Sequence, residues 1–272
     1  MSARDPRSLD THFEFGENWR GFLRHVDQEA VAEAERGLLK LIPQERIEGA
    51  RFLDIGCGSG LHSLAASRLG AAEVLAIDID PKSVRAAQQQ LSGRKGAEAR
   101  RLSIFDAEPA YLGAFDLVYS WGVLHHTGAM WEAVERAAQF VKPGGLFAIA
   151  LYQKTPFCGL WRIEKRLYTA SPEPLRWLAR ALYTAAYVAG LALVGRNPLR
   201  VIRDRKNTRG MNFHTDIHDW LGGYPYESAE PAEIKARIEP LGFVSVREYP
   251  LPKRFGLFGT GCCEFVFQRH TQ

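Results

Sequence analysis

Arg51-Phe52-Leu53-Asp54-Ile55-Gly56-Cys57-Gly58-Ser59-Gly60 is the stretch whose reading decides the fold. A short apolar run ends in an acid, and three glycines follow at alternate positions. The alanine-rich residues 61–69 then have the composition of a helix. The pattern is a strand, a tight turn and a helix start. Glycine lets the backbone turn sharply and lets a ligand approach where a Cβ would collide. Unpaired N–H groups of the first helical turn would face that ligand. A phosphate loop ending in Gly-Lys-Ser/Thr is excluded, because Leu61 and His62 follow Gly60. Asp54 at the loop entrance would repel a pyrophosphate and suits a ligand with an ammonium group. A structural turn without a ligand is the competing reading.

Working outward, the same rhythm repeats. Residues 73–78 read as a second strand ending in Asp78, and Asp80-Pro81 is a cap and first turn for a helix to Leu91. Residues 101–106 read as a third strand ending at Asp106, and residues 115–120 as a fourth. A helix over 129–140 and a Pro143-Gly144-Gly145 turn lead to a fifth strand, 146–152. Its nearly continuous apolar character suits a strand buried on both faces. Strand and helix alternate five times, which predicts an open, mostly parallel α/β sheet. Ligands in such sheets bind beyond the carboxyl ends of the strands. Asp54, Asp78 and Asp106 all fall there. Helix capping explains any one of these acids but poorly explains all three. Asp78 can accept from a ribose diol, Ile79 can pack on an adenine, Asp106 can accept from its amino group, and Phe105 adds apolar area.

The remainder is less regular. Residues 13–22 are dense in aromatics and read either as a clasp on the core or as a flap over the ligand, with Asn18 and Trp19 as contacts. Val31, Ala34, Leu38, Leu41 and Ile42 recur at helical spacing over 26–42. Residues 153–223 predict two helices, 160–168 and 174–194. The uncharged run 181–195 falls short of the ~20 apolar residues that span a bilayer. It reads as a buried or lid helix, with a dimer contact or an interfacial membrane contact through 175–195 as alternatives. His214 and His218 would share a helix face. A metal pair there lacks the intervening Glu of zinc proteases and a third ligand, so a substrate-facing polar network is preferred. Residues 243–249 and 262–268 alternate as a closing antiparallel hairpin.

Composition sets limits. With 272 residues and 46% hydrophobic content, the chain suits one large domain with an insertion. A net charge of +4 gives little support for nucleic-acid binding. Cys57, Cys158, Cys262 and Cys263 form no zinc-ligand pattern, and residues 1–10 carry no signal-peptide pattern, so a cytoplasmic setting is expected.

These motifs together resemble the class I S-adenosylmethionine-dependent methyltransferases. Residues 53–60 resemble the family's first motif, Ile77-Asp78 the ribose-holding acid, and Phe105-Asp106 the adenine-side motif. Phe115-Asp116-Leu117-Val118 with Val123-Leu124-His125-His126 resembles the fourth-strand segment of small-molecule enzymes. Residues 141–146 resemble the turn into strand five. The resemblance is nearest to the ubiquinone-biosynthesis type O-methyltransferases. It implies a seven-stranded Rossmann-like sheet with helices on both faces, a reversed C-terminal hairpin and a helical lid. It also implies an N-terminal flap and helix (1–45), a cofactor-binding core (46–152), an acceptor-side lid (153–229) and a closing helix and hairpin (230–272). S-adenosylmethionine would be the cofactor, held by Trp19, Asp54, Gly56, Gly58, Gly60, Asp78, Ile79, Phe105, Asp106 and Ser120.

The expected activity is methyl transfer to a small-molecule acceptor at oxygen. His126, His214 and His218 are the candidate bases, and no metal is expected. Alternatives are a nitrogen or carbon acceptor, a protein or tRNA substrate, non-methylating use of the cofactor, and a silent binding protein. Tyr119-Ser120-Trp121-Gly122 stands where base N-methyltransferases carry Asn/Asp-Pro-Pro-Tyr, which lowers nucleic-acid bases as acceptors.

Overall fold

The computed structural model describes residues 28–209, 213–253, 255–257 and 259–271, without the side chains of 204–209 and 213–216. Trp19, Asn18 and the aromatic stretch 13–22 lie outside the described residues.

Seven strands form one sheet: β1 (Arg51–Ile55), β2 (Glu73–Asp78), β3 (Ala97–Arg101), β4 (Phe115–Trp121), β5 (Val141–Tyr152), β6 (Phe243–Tyr249) and β7 (Cys262–Arg269). Their order is β3-β2-β1-β4-β5-β7-β6. Strands β1 to β5 pair in parallel, and β7 runs antiparallel to both β5 and β6. The closing hairpin is therefore present, and β7 alone is reversed. The strand order turns back between β1 and β4, the place where open α/β sheets bind ligands.

The sheet is covered on both sides because adjacent strand residues point to opposite faces. Leu53, Ile55, Leu75, Ile77, Val118, Phe147, Ile149, Phe265 and Phe267 bury on one face beneath the Met130–Gln139 and Pro231–Ile238 helices. Phe52, Val74, Leu117, Tyr119, Leu146, Ala148 and Val266 bury on the other, with the Gln28–Leu41 helix. Each such large side chain contributes roughly 1.5–3 kcal/mol by leaving water. The central strands are thus buried on both faces and largely apolar, with Asp54 and Ser120 the buried polar exceptions in β1 and β4.

Two expectations are corrected. The third strand ends at Arg101 and does not reach Asp106. Ser103 closes a turn instead: its carbonyl accepts from the Asp106 and Ala107 amides, each at 3.0 Å, and its hydroxyl from the Phe105 amide at 3.2 Å. As an edge strand, β3 buries only Ala99, so its sequence carries little apolar signal. Second, the described residues of 153–223 hold four helices, not two: Cys158–Ala170, Glu173–Leu193, Pro198–Arg209 and Phe213–Gly222. The insertion is pinched at its base by a parallel bridge between Gln153 and Ala229. The Ala229 amide donates to the Tyr152 carbonyl at 3.0 Å. Tyr168, Ile217 and Leu221 form a small core among the helices.

Candidate functional site

The glycine turn is built as its spacing implies. Gly56, Gly58 and Gly60 have φ of 74°, 53° and 79°, a region that disfavours side chains. The Gly56 amide donates to the Ile77 carbonyl at 2.8 Å, tying the turn to β2. A Cβ on Gly56 would lie 2.3 Å from Val123 Cγ1, and one on Gly60 2.8 Å from the Ala87 Cα. Gly60 caps the Leu61–Arg68 helix.

Asp78 stands at the end of β2, half-buried, facing this turn. Its Oδ2 accepts from the Gly58 amide at 3.0 Å and its Oδ1 from the Asp80 amide at 2.9 Å. Burial pushes its carboxyl up to about 6, against the opposing pull of those amides. A carboxylate offers about four lone-pair directions, so both oxygens retain capacity to accept. Ile79 follows, half-buried, and its carbonyl accepts from Arg101 Nε at 3.2 Å.

Asp54 does not stand open at the loop entrance as expected. It is only 3% exposed, and Ser63 Oγ donates to its Oδ2 at 2.5 Å. Burial raises its carboxyl to about 7, despite the Ser63 bond and with the Asp78 charge adding to the rise. A cationic group approaching the turn would draw the proton off. Ser120 is fully buried, and its hydroxyl donates to the Ile55 carbonyl at 2.9 Å, lashing β4 to β1. Phe105 is half-buried against the core, and Asp106 is exposed in the turn after β3.

After β4 the chain turns at Gly122 into a 3₁₀ turn, Leu124–His126. Val123 seals the glycine turn, and two residues later His125 is fully buried. Among the described residues, neither His125 ring nitrogen has a hydrogen-bond partner. Its ring lies 3.9 Å from that of Tyr152 and 4.3 Å from that of His126. Burial holds the imidazole well below its usual range, aided by His126 and Lys165. His126 Nδ1 lies 2.7 Å from the Pro225 carbonyl. A carbonyl only accepts, so Nδ1 is a nitrogen that carries a proton. A Cβ on Gly223 would lie 2.9 Å from His126 Cε1, so Gly223 leaves that edge room.

The insertion roofs this histidine pair with aromatics that sequence reasoning missed. Tyr152 lies 5.8 Å from Trp220 and 5.4 Å from Tyr226, ring to ring, and Trp161 lies 5.3 Å from Trp220. Trp220 Nε1 is buried and has no hydrogen-bond partner among the described residues. Lys165 is fully buried, its Nζ 3.7 Å above the Trp220 ring and donating to the Trp220 carbonyl. Burial lowers its amine to about 7, and burial likewise raises Glu164 to about 7. Cys158 is nearly buried. Tyr226 Oη donates to its Sγ at 3.2 Å and the Thr155 amide at 3.1 Å. The missed signal was spacing: Trp161, Lys165 and Tyr168 recur at i, i+4 and i+7 on one helix face.

His218 does not join the pair. Tyr168 Oη, which accepts from Arg180 Nη1 at 2.9 Å, donates to His218 Nδ1 at 2.6 Å, bracing three helices of the insertion. The His214 backbone belongs to the Phe213–Gly222 helix, and its side chain lies outside the described residues. Among the described residues, no group of three or more His, Cys, Asp or Glu is placed to hold a metal. A cavity of about 490 Å³ lined by Arg51, Glu73, Arg100 and Tyr111 lies at the amino ends of the strands, away from these groups.

The seven-stranded order, the single reversed strand and the glycine turn define the fold of the class I S-adenosylmethionine-dependent methyltransferases. Residues 53–147 match a family model described as a methyltransferase domain. In its core the chain is related to the ubiquinone-type O-methyltransferases. It is 36% identical over 111 residues to a ubiquinone biosynthesis O-methyltransferase of Xanthomonas campestris, a match covering 40% of this chain and 46% of that one. The match thus spans less than half of that relative's length. Magnesium protoporphyrin IX methyltransferase from Synechocystis superposes over 99% of both chains with a TM-score of 0.57 at 14% identity. An O-methyltransferase family protein from Burkholderia thailandensis superposes over 98% of this chain and 66% of its own, with a TM-score of 0.53 at 16% identity. At those identities the likeness is one of fold.

Proposed function

We propose that the protein is an S-adenosylmethionine-dependent methyltransferase acting on a small-molecule acceptor at oxygen. One adjacency carries this reading. Val123 packs on the Cβ-intolerant Gly56, and two residues on, a fully buried His125 presents two ring nitrogens, unpartnered among the described residues, beneath an aromatic roof. A nucleotide-type cradle and a chamber with unsatisfied polar groups therefore meet at one strand end. Buried polar groups without partners are rare in native proteins and point to a ligand.

The cofactor supplies an electrophilic methyl group, which leaves the protein the tasks of placement and water exclusion. In this reading the residual lone pairs of Asp78 hold the ribose hydroxyls, and Ile79 and Phe105 flank the adenine. Asp106 accepts from the adenine amino group. Gly56, Gly58 and Gly60 admit the ligand's backbone-facing edge, Asp54 answers its ammonium end, and Ser120 keeps β1 and β4 in register beneath it. Trp19, outside the described residues, is carried in this reading as a cofactor contact. On the acceptor side His126, its ring oriented by Pro225, takes the acceptor proton at Nε2. His125 and Trp220 Nε1 position the acceptor's polar groups. His214 remains a candidate base, and His218 braces the lid formed by 153–229. A cytoplasmic setting, and a contact through 175–195 with a membrane surface or a second copy, belong to the same reading.

The similarity to a Xanthomonas ubiquinone biosynthesis O-methyltransferase supports oxygen as the acceptor atom. The test is transfer of labelled methyl from S-adenosylmethionine to a panel of hydroxylated small molecules, with amines, protein and tRNA alongside. Label in an amine, a carbon, a protein or tRNA would redirect the proposal to that acceptor. Cofactor consumed without labelled product, or cofactor bound and never consumed, would overturn methyl transfer.

A further inference from the structure

The helical insertion exposes an apolar surface that the core does not use. On the Cys158–Ala170 helix, Leu160, Ile163 and Leu167 are 60%, 60% and 63% exposed. They are spaced i, i+3 and i+7, so they form one stripe. On the Glu173–Leu193 helix, Leu175, Leu178 and Leu182 repeat that spacing, and Trp177 beside them is 64% exposed. The opposite faces of these helices hold the insertion together through Trp161, Tyr168, Tyr183 and Tyr187. The outward leucines are therefore left over after the insertion's own core is complete. Exposed large apolar residues scattered singly are ordinary, but two aligned stripes on neighbouring helices mark a contact surface.

Charge indicates what covers it. From Lys154 to Arg209 the sequence holds 12 Lys and Arg against 3 Asp and Glu, a net of +9 in a chain whose total is +4. The rest of the protein is thus net acidic, and the base is concentrated on this one insertion. Arg162, Arg166, Arg196, Arg200 and Arg203 are exposed along it. Leu193, Val194 and Leu199 beside them are 88%, 70% and 80% exposed. Among the described residues, no helix is long and apolar enough to cross a bilayer.

From these observations we infer that the insertion docks peripherally on an anionic lipid surface. Leu160, Ile163, Leu167, Trp177, Leu178 and Leu182 enter the headgroup–acyl boundary, and the arginines meet lipid phosphates. Amphipathic helices with base on the polar side and Leu and Trp on the other lie in that plane. Tryptophan favours the interface itself. Nucleic acid would use the base but leave the leucines in water. A second copy would bury the leucines but bring two strongly basic insertions together. A bilayer with anionic headgroups satisfies both features at once. Docking of this kind stands apart from methyl transfer, although it would present the roofed chamber to a membrane-dissolved acceptor.

The experiment is flotation of the full chain with vesicles of phosphatidylcholine alone and of phosphatidylcholine with 30% phosphatidylglycerol, at low and high salt. Anionic vesicles should carry the protein at low salt, neutral ones far less. The double variant Trp177→Glu/Leu182→Glu should lose about tenfold or more in partitioning, in proportion to the apolar area withdrawn. Arg166→Gln/Arg200→Gln should lose binding chiefly to anionic vesicles. Thermal melting and S-adenosylmethionine binding of each variant should match the wild type, which separates failure of docking from failure of the cofactor reading. Absence of flotation by the folded wild type, or equal flotation of the glutamate variant, overturns the inference. So does self-association or RNA binding through these residues without vesicle binding.

Discussion

The Asp78 carboxylate accepts a hydrogen bond from the Gly58 amide at 3.0 Å, joining the acid that ends β2 to the middle of the glycine turn that follows β1. Twenty residues apart in sequence, the two make one surface. Asp78→Ala should weaken S-adenosylmethionine binding by at least about tenfold, as expected for the loss of charge-assisted hydrogen bonds worth roughly 1.5–3 kcal/mol each. Calorimetry on the variant, with a melting curve to confirm folding, checks it.

Asp54 gives a pH dependence with a definite sign. Its carboxyl is raised from 3.8 to about 7 by burial, so the folded apo protein binds a proton that the unfolded chain has released. Folding stability should therefore fall as pH rises from about 4 to about 7, by at most about 4 kcal/mol at 1.36 kcal/mol per pK unit. Asp78, raised to about 6, acts in the same direction. Asp54→Asn should melt higher than the wild type at pH 8 and alike at pH 4. Melting temperature against pH for both proteins decides it; a wild type that gains stability across pH 4–7 more than the variant would contradict it.

The glycines differ in how they can be replaced. Gly56→Ala meets the Val123 side chain first, whereas Gly60→Ala meets the Ala87 Cα as well as its Cβ. Both incur about 1–2 kcal/mol for a left-handed backbone. Val123→Ala should restore part of the stability lost in Gly56→Ala, while Ala87→Gly should restore little in Gly60→Ala. Denaturant titration of the four variants and two doubles measures both couplings.

The His126 ring is oriented by its Nδ1 contact with the Pro225 carbonyl, 2.7 Å away. His126→Gln should lower kcat by about 10²-fold or more, leaving cofactor affinity unchanged. His218→Gln, which loses the Tyr168 bond, should lower the melting temperature and shift KM more than the pH profile. The same activity assay and melting series separate the two histidines.

Lys165 carries a fourth distinction. It is fully buried, its stem packed among aromatics. Lys165→Met keeps that volume but takes the cation from Glu164 and the Trp220 carbonyl, whereas Lys165→Ala does the same and also leaves a cavity costing about 2–5 kcal/mol. Methionine should melt well above alanine in a thermal scan.

The sequence is most legible where backbone geometry is locally dictated. Gly56, Gly58 and Gly60 announce a turn because no other residue tolerates their φ values, and Asp80-Pro81 announces a helix start that the structure keeps, with Asp80 Oδ1 accepting from the Lys82 amide at 2.8 Å. The doubly buried strands read as apolar runs. Strand β3 was misplaced because an edge strand buries one residue and the neighbouring Leu102-Ser103-Ile104-Phe105 run is more apolar. Asp54 was legible as an acid at a strand end but not as a buried one, since Ser63 reaches it from the next helix. The chamber was least legible. Tyr152, Trp161, Lys165, Trp220 and Tyr226 come from three separate segments, and only tertiary packing joins them into one cluster that reaches His125 through Tyr152.

The central claim is that the glycine turn and Asp78 form an S-adenosylmethionine site. Titration of S-adenosylmethionine and S-adenosylhomocysteine into the wild type and Asp78→Ala by calorimetry tests it most directly. Saturable binding of both ligands to the wild type, weakened at least about tenfold in a folded Asp78→Ala, is the expected result. Folded wild-type protein that binds neither ligand would contradict the claim and return the turn to a structural role.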